Sequence, residues 1–166
     1  MKSAAESRRL LAMTGTAVVV LDIASKWFAE RALLPIPPVQ VLGDWIQLRL
    51  VYNQGAAFGL HLGPWSRWIF IAIALGAIVM LYRLSRSSRA ADRIRHLACG
   101  LVAGGAAGNL LDRLRSTQGV VDFIDLGIGS TRWPTFNVAD MGVTVGAIML
   151  AISLWIEDAR ARVTTT

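Results

Sequence analysis

The sequence predicts an all-α integral membrane protein, a bundle of four spanning helices, from three observations. Apolar residues make up 54% of the 166 residues and charged residues only 17%, whereas soluble domains are about a quarter charged. Four apolar windows are long enough to cross a hydrocarbon core, which takes about 20 helical residues. The arginines collect beside these windows. We place the four spans at about 10–28, 66–84, 94–114 and 136–156.

Each window is expected to be a helix, because lipid offers no hydrogen-bond partners to the backbone. The second and fourth windows are nearly uninterrupted, and the first and third carry ionisable residues at one end. Residues 10–21, which follow Lys2, Arg8 and Arg9, also fit a cleavable signal peptide. The apolar run continues through Trp27 and Phe28 without a clear small-x-small site, which favours a span. Residues 1–166 are then one membrane-embedded domain.

The orientation follows from the positions of the basic residues. Arginines precede the first window, crowd the link between the second and third at residues 83–95, and follow the fourth. The positive-inside rule makes these three places cytoplasmic. Both termini are therefore predicted to lie in the cytoplasm of an inner-membrane protein, with segments of about 29–65 and 115–135 outside. In the first of these, Asp44 to Tyr52 is predicted to be a strand that ends in a turn.

The net charge of +6 is also typical of nucleic-acid-binding proteins. Here the basic residues lie beside apolar windows rather than among aromatic residues, so membrane topology explains them and no nucleic-acid partner is expected. The single cysteine, Cys99, excludes an internal disulfide and suits a small packed side chain.

Polar residues collect at the outer ends of the spans and in the outer segments. Ionisable groups at membrane depth are costly, so they usually face the bundle interior and act as a set. We therefore treat the following as one candidate site: Asp22, Lys26, Asn109, Asp112, Arg113, Asp122, Asp125, Asn137 and Asp140.

Each part of this set also has a purely structural interpretation. Asp22 and Lys26, four residues apart, fit an ion pair from which the lysine reaches outward. Asn137 and Asp140 fit a helix cap. Asp122 and Asp125 fit solvated turn residues. Elsewhere, small residues every fourth position are expected to pack helices closely, and three tryptophans fit interfacial anchors without chemistry: Gly100, Gly104, Gly108, Trp65, Trp68 and Trp133.

The residue types give little support to several chemistries and favour paired carboxylates. There is no His-Glu-x-x-His motif, and His61 and His96 are predicted on opposite sides of the membrane, so neither a metal nor a Ser-His site is supported. Two neighbouring carboxyls share one proton, which lets one act as base and the other as acid. Asp122 and Asp140 fit such a pair, although Asp112 or Asp125 fits the pattern equally well.

Five motifs in order resemble the bacterial lipoprotein signal peptidase family, from about Leu10 to Ile156. The matching stretches are Asp22-Ile-Ala-Ser-Lys26, Asn53-Gln-Gly-Ala-Ala-Phe58, Gly104-Gly-Ala-Ala-Gly-Asn109-Leu-Leu-Asp112-Arg113, Val120-Val-Asp122-Phe123 and Phe136-Asn137-Val-Ala-Asp140. Any one of them alone is weakly specific, whereas the set in this order is highly specific.

The resemblance implies a catalytic dyad, Asp122 and Asp140, and leaves Asp125 as a neighbour. It implies that the site is lined or supported by further motif residues: Asp22, Lys26, Asn53, Gly55, Asn109, Asp112, Arg113 and Asn137. It implies a peptidase without cofactor or metal that cleaves lipoprotein precursors before a diacylglyceryl-modified cysteine at the membrane lipid, and that globomycin-type antibiotics inhibit. The implied fold adds a small periplasmic β-sheet, the β-cradle, and a short amphipathic periplasmic helix to the bundle.

Two rival functions use the same acidic residues. A small proton-coupled transporter or channel would use them as a relay, and a non-enzymatic scaffold would use them only as caps and ion pairs. A relay needs acids at several depths, whereas these acids gather at one predicted face. The order of the motifs favours the peptidase.

Overall fold

Four long helices account for most of the chain in a computed structural model that describes residues 4–55, 63–89 and 92–164. They are α1 (Ala4–Ala32), α2 (Ser66–Ser87), α3 (Arg93–Arg115) and α4 (Val138–Thr164). Each predicted window falls on one helix, and every helix continues beyond its window at one or both ends. Residues 10–21 are continuous with the rest of α1.

Three helical segments of the described residues are long and apolar enough to cross a membrane by length and composition: Ala5–Ala32, Gly63–Ser87 and Val138–Arg160. The third predicted window is not among them, because α3 carries charged side chains at both ends and Asn109 near one of them. This helix packs against α1, α2 and α4, and its Arg95, His96 and Asp112 side chains are buried. A fourth span along α3 therefore stays a prediction.

The glycines of α3 bring its backbone against two neighbours. A Cβ on Gly104 would lie 2.7 Å from the carbonyl oxygen of Gly15 in α1, and one on Gly100 would lie 2.8 Å from that of Leu11. A Cβ on Gly105 would collide with the carbonyl oxygen of Ala139 in α4. The predicted packing role of the small residues is thereby confirmed.

The two segments that join the helices at one end of the bundle form a four-stranded antiparallel sheet. Its strands are β1 (Val39–Leu42), β2 (Ile46–Asn53), β3 (Val120–Ile128) and β4 (Thr131–Arg132), paired in that order. The predicted strand corresponds to β2, but Asp44 belongs to the turn that precedes it. Within the described part of these segments the one helical piece is a 3-10 turn, Gly63–Trp65, and a short amphipathic helix stays a prediction.

The strand β3 corrects the prediction that Asp122 and Asp125 lie in an outer loop. It pairs with β2 from Asn53↔Val120 to Ile46↔Leu126, with an irregularity between Leu48 and Val51. The two aspartates interrupt an otherwise apolar run, which hid the strand from the sequence pattern. A small core formed by Ala29, Leu33 and Phe123 holds the sheet against the end of α1. This packing places β3 beside the beginning of α4.

Candidate active site

Asp122 points from β3 into a cavity between the sheet and α4. Alternate residues of a strand face opposite sides, so Asp122 and Leu126 line the cavity while Asp125 does not. The Asp122 carboxyl is buried. Its Oδ2 accepts a hydrogen bond from Asn53 Nδ2 at 3.0 Å, and its Oδ1 accepts one from Asn137 Nδ2 at 2.7 Å. The side chain is thus fixed from both sides by amides.

Asp140 enters the same cavity from the first turn of α4. Its backbone N–H donates to Asn137 Oδ1 at 2.9 Å, and its Oδ2 accepts from the Asn137 N–H at 3.1 Å. This reciprocal cap confirms the structural interpretation of the pair. The cap also aims the carboxylate, whose Oδ1 accepts from Asn109 Nδ2 at 2.8 Å. Capping and a place in the candidate site therefore coexist.

Asn137 and Asn109 connect the two carboxyl groups. Asn137 Nδ2 donates to Asp122 Oδ1 and also lies 3.1 Å from Asn109 Oδ1. Asn109 in turn donates to Asp140. The two aspartates, 18 residues apart in sequence, are thereby held by one amide network, formed by Asn109 of α3 and by Asn137, the residue before α4.

Burial raises the pKa of Asp122 from its usual 3.8 to about 7. The nearby carboxylate of Asp140 acts in the same direction, because a second negative charge is unfavourable there. The hydrogen bonds from Asn53 and Asn137 favour the charged form and oppose the shift. Asp122 therefore keeps its proton close to neutrality, which is the property that a general acid needs.

Lys26 lies inside the bundle behind this network and is 1% exposed. Its Nζ lies 2.7 Å from Asp22 Oδ2, 2.8 Å from Asp112 Oδ2 and 3.0 Å from Asn109 Oδ1. The predicted ion pair is confirmed. The prediction that the lysine side chain reaches outward is wrong, because two buried carboxylates hold its ammonium group. The lysine thereby also fixes the Asn109 amide that contacts Asp140.

The two carboxylates around Lys26 also hold backbone at the site. Asp22 Oδ1 accepts from the N–H of Ala139 at 2.9 Å, and Asp112 Oδ2 accepts from the N–H of Val121 at 3.2 Å. Ala139 precedes Asp140, and Val121 precedes Asp122. The cluster therefore positions the chain immediately before each aspartate of the predicted dyad.

Arg113 and Gly55 form the remaining side of the site. The Arg113 guanidinium donates to the carbonyl oxygen of Gly55 at 2.9 Å and to that of Asn109 at 3.2 Å. The Gly55 N–H donates to Asn53 Oδ1 at 3.0 Å, which orients the amide that binds Asp122. The rest of this motif, Ala56-Ala-Phe58, and His61 lie outside the described residues.

The cavity measures about 500 Å³ and has a polar floor and an apolar wall. The floor consists of Asn53, Asn109, Arg113, Asp122 and Asp140. Sequence reasoning missed the wall: Leu126, Trp133, Pro134, Thr135, Phe136, Met141, Val143 and Thr144. Part of it was detectable, because residues three and four positions after Asp140 share its helix face. Trp133, predicted as an anchor without chemistry, is 60% exposed at this wall.

Asp125 lies on the opposite face of β3 and takes no part in the cavity. It is buried, and its Oδ1 lies 2.9 Å from Arg132 Nε, with Arg49 at 3.8 Å from Oδ2. Its interpretation as a solvated turn residue is therefore wrong, because it closes the hairpin of β3 and β4. Among the described residues no group of three His, Cys, Asp or Glu side chains is arranged to hold a metal ion.

Comparison with known proteins places this geometry in context. The model of the family described as signal peptidase (SPase) II matches residues 14–156. A lipoprotein signal peptidase of Hydrogenovibrio crunogenus is 40% identical over 145 residues, which cover 84% of this chain and 82% of the relative. One of Oleidesulfovibrio alaskensis is 37% identical over 141 residues, covering 83% and 89%.

Solved structures agree with the fold. A bacterial membrane enzyme determined by the in meso method at 2.3 Å resolution matches with a TM-score of 0.79 and 27% identity, covering 90% of each chain. A second, at 1.9 Å resolution, matches with a TM-score of 0.76 and 28% identity, covering 87% of this chain and 91% of the other.

Proposed function

Because the chain belongs to the signal peptidase II family, we propose that its peptidase chemistry is of the aspartic type and is carried by Asp122 and Asp140. The observation that supports this assignment is their common cavity, in which Asn109 and Asn137 link the two carboxyls. Burial keeps a proton on Asp122, while Asp140 is partly exposed at the cavity. The pair thus offers an acid and a base side by side.

The proposed reaction is hydrolysis by an activated water. Asp140 takes a proton from the water as its oxygen attacks the scissile carbonyl carbon, and Asp122 donates a proton to the carbonyl oxygen. When the tetrahedral intermediate collapses, the carbon–nitrogen bond breaks and Asp140 passes its proton to the leaving amine. Asp122 recovers its proton from the hydroxyl of the new acid. No metal or cofactor enters this scheme.

The other motif residues have positioning roles in this proposal. Asn53 and Asn137 hold Asp122, and Asn109 holds Asp140. Asp22, Lys26 and Asp112 fix the backbone before each aspartate. Arg113 holds the Gly55 carbonyl and also lines the cavity, and the Gly55 N–H orients the Asn53 amide.

For the substrate we propose lipoprotein precursors that carry a diacylglyceryl-modified cysteine, cleaved immediately before that residue. The relatives are named lipoprotein signal peptidases, and the apolar wall of the cavity suits a lipid-bearing segment. A cysteine with two acyl chains stays at the membrane surface, and the cavity lies at the ends of α3 and α4, where such a bond would be presented. Globomycin-type inhibitors are proposed to occupy the same cavity.

The proposed topology has four spans in a bacterial inner membrane. The arginine-rich ends of the helices, with both termini, lie in the cytoplasm, and the sheet and cavity lie at the periplasmic face. In this arrangement α3 crosses the membrane packed against the three apolar helices α1, α2 and α4. The transporter interpretation is not supported, since the relatives are peptidases.

The experiment uses the purified chain and two versions of one precursor, with and without the diacylglyceryl group on its cysteine. We expect the lipidated precursor to be cut immediately before the cysteine, and the unlipidated one to remain intact, as read by mass spectrometry of the products. A chelator should leave the rate unchanged. Equal cleavage of both precursors would contradict the proposed substrate, and cleavage of neither would contradict the proposed activity.

A further inference from the structure

A second cavity lies at the opposite end of the bundle from the candidate active site. It measures about 290 Å³ and is formed by the beginning of α1 and the end of α2, with His96 of α3 at its base. His96 precedes Asn109 by 13 residues on α3, which separates the two ends by about 20 Å at about 1.5 Å per residue. Nothing in the proposed peptidase chemistry uses this cavity.

The described residues that line this cavity carry a net positive charge. Arg8 and Arg86 both border it, and none of its described lining residues is Asp or Glu. Within the described part of the chain neither arginine has an ion-pair partner, although other arginines near the same end, such as Arg95, do. Guanidinium groups bind anions, above all phosphate oxygens, through paired N–H donors.

The base of the cavity is rigid. His96 is 1% exposed, with Nδ1 at 2.8 Å from Ser85 Oγ and Nε2 at 3.1 Å from the carbonyl oxygen of Arg89. These contacts tie the end of α2 to the beginning of α3. Arg86 also donates to the hydroxyl of Tyr82 at 3.5 Å, which leaves the tyrosine O–H as a further donor beside the cavity.

The wall below the arginines is apolar and continues along the bundle surface. Leu11 and Ala12 of α1 line it one turn beyond Arg8. Val79 lies three residues before Tyr82, on the same face of α2, and is half exposed. The cavity therefore combines a cationic mouth at the end of two candidate spans with an apolar path toward the membrane core.

From this geometry we infer that the cavity binds the phosphate headgroup of an anionic phospholipid, with Arg8 and Arg86 as its ligands and one acyl chain along Leu11 and Val79. Basic pockets between membrane helices on the cytoplasmic side are suited to such headgroups. A free phosphate would use the same arginines but gain nothing from the apolar wall. The inference depends on α1 and α2 crossing the membrane, not on the peptidase assignment.

The test titrates the purified chain in mixed micelles with phosphatidylglycerol and counts retained lipid by native mass spectrometry. The variant Arg8→Gln/Arg86→Gln removes both proposed ligands. The variant Arg83→Gln/Arg89→Gln removes the same charge from exposed residues outside the cavity. We expect roughly 30-fold weaker binding in the first variant, from the usual contribution of two basic residues, and near-wild-type binding in the second.

Four results would overturn the inference. Equal weakening in both double variants would show a general attraction to surface charge, and unchanged binding in the first variant would remove the arginines as ligands. Equal retention of phosphatidylcholine would remove the requirement for an anion. Inorganic phosphate is the remaining arm: if millimolar phosphate displaces the lipid completely, the ligand is a free anion rather than a phospholipid.

Discussion

At the scale of single residues, Asp122 is the side chain whose charge depends most on its surroundings. A folded carboxyl with a pKa of about 7 holds its proton where an unfolded one, with a pKa of 3.8, has lost it. Between about pH 4 and pH 7 the folded state therefore binds more protons, and its free energy of unfolding falls as the pH rises. A stability cost of this kind is common at sites where a carboxyl serves as an acid.

The difference between the folded and unfolded pKa of Asp122 gives a prediction for Asp122→Asn. The variant cannot ionise at this position, so between pH 5 and pH 8 its melting temperature should fall less than that of the wild type, while its peptidase activity is lost. Wild-type activity should decline above about pH 7 as Asp122 loses its proton. Parallel melting curves for the two proteins across this range would contradict the burial of an acid here.

Lys26 gives a second prediction, because it neutralises two buried carboxylates. Lys26→Met leaves Asp22 and Asp112 without their ammonium partner, and removing one member of a buried ion pair costs about 3–5 kcal/mol. The exposed pair of Arg162 and Asp158 supplies the control, since Arg162→Met should cost less than about 1 kcal/mol. Exposure of the buried Cys99 thiol on heating reports unfolding in both. An equal loss of stability in Lys26→Met and Arg162→Met would contradict the buried network.

The sequence identified these residues but did not predict all the contacts between them. The spacing of Asp22 and Lys26 predicted their ion pair, and the order of the motifs pointed to Asp122 and Asp140. No spacing rule predicts that Asp112 reaches the same ammonium group, or that Asn109 bridges Lys26 and Asp140. Those contacts depend on how far α3 is inserted between α1 and α4, which is set by tertiary packing.

At the scale of elements, the close contact of α3 with α4 sets the position of the candidate site. Gly105 lies against the carbonyl oxygen of Ala139, the residue before Asp140. The strand β3 brings the other aspartate to the same place by pairing with β2 and packing on α1. The site is therefore assembled where the α3–α4 pair meets strand β3 of the sheet.

Gly105→Ala should disturb this assembly. The added methyl group collides with the Ala139 carbonyl, so α4 must move away from α3 and carry Asp140 with it. We expect lower thermal stability, by about 1–3 kcal/mol, and a loss of activity. Gly76→Ala is the matched control, because a Cβ there meets no atom within 4 Å and alanine favours a helix. Equal behaviour of the two variants would contradict the tight contact.

The helices were easier to predict than the sheet. Long apolar runs have few alternatives to helix, whereas β3 contains two aspartates and pairs with a strand about 70 residues away. Its apolar side chains are covered on both faces, so the alternation that identifies a half-exposed strand is absent. β4, with two residues, is too short to leave a pattern.

At the scale of the whole molecule, the candidate acidic site and the unpaired arginines lie at opposite ends of the bundle. The candidate dyad and the sheet lie at one end, and unpaired arginines lie at the other. Sequence alone predicted this separation, because it depends on the order of windows and charges. The central position of α3 was not predictable from the length of its apolar window, because that length does not show which neighbouring helices cover its polar groups.

The proposed topology is testable by cysteine labelling of intact cells. With Cys99→Ala as background, Gln40→Cys in the exposed strand β1 should react with a membrane-impermeant thiol reagent. Ser87→Cys, exposed at the end of α2 that lies away from the sheet, should react only after lysis. The reverse pattern would invert the orientation, and labelling of both sites in intact cells would contradict a membrane between them.

The central claim, that Asp122 and Asp140 together carry the hydrolysis, is tested most directly by single-turnover cleavage of a lipidated precursor. Asp122→Asn and Asp140→Asn should each abolish cleavage while the proteins stay folded. Asp125→Asn, which changes a carboxyl of the same strand that faces away from the cavity, should retain most activity. Cleavage by either dyad variant at a rate comparable with the wild type would contradict the assignment.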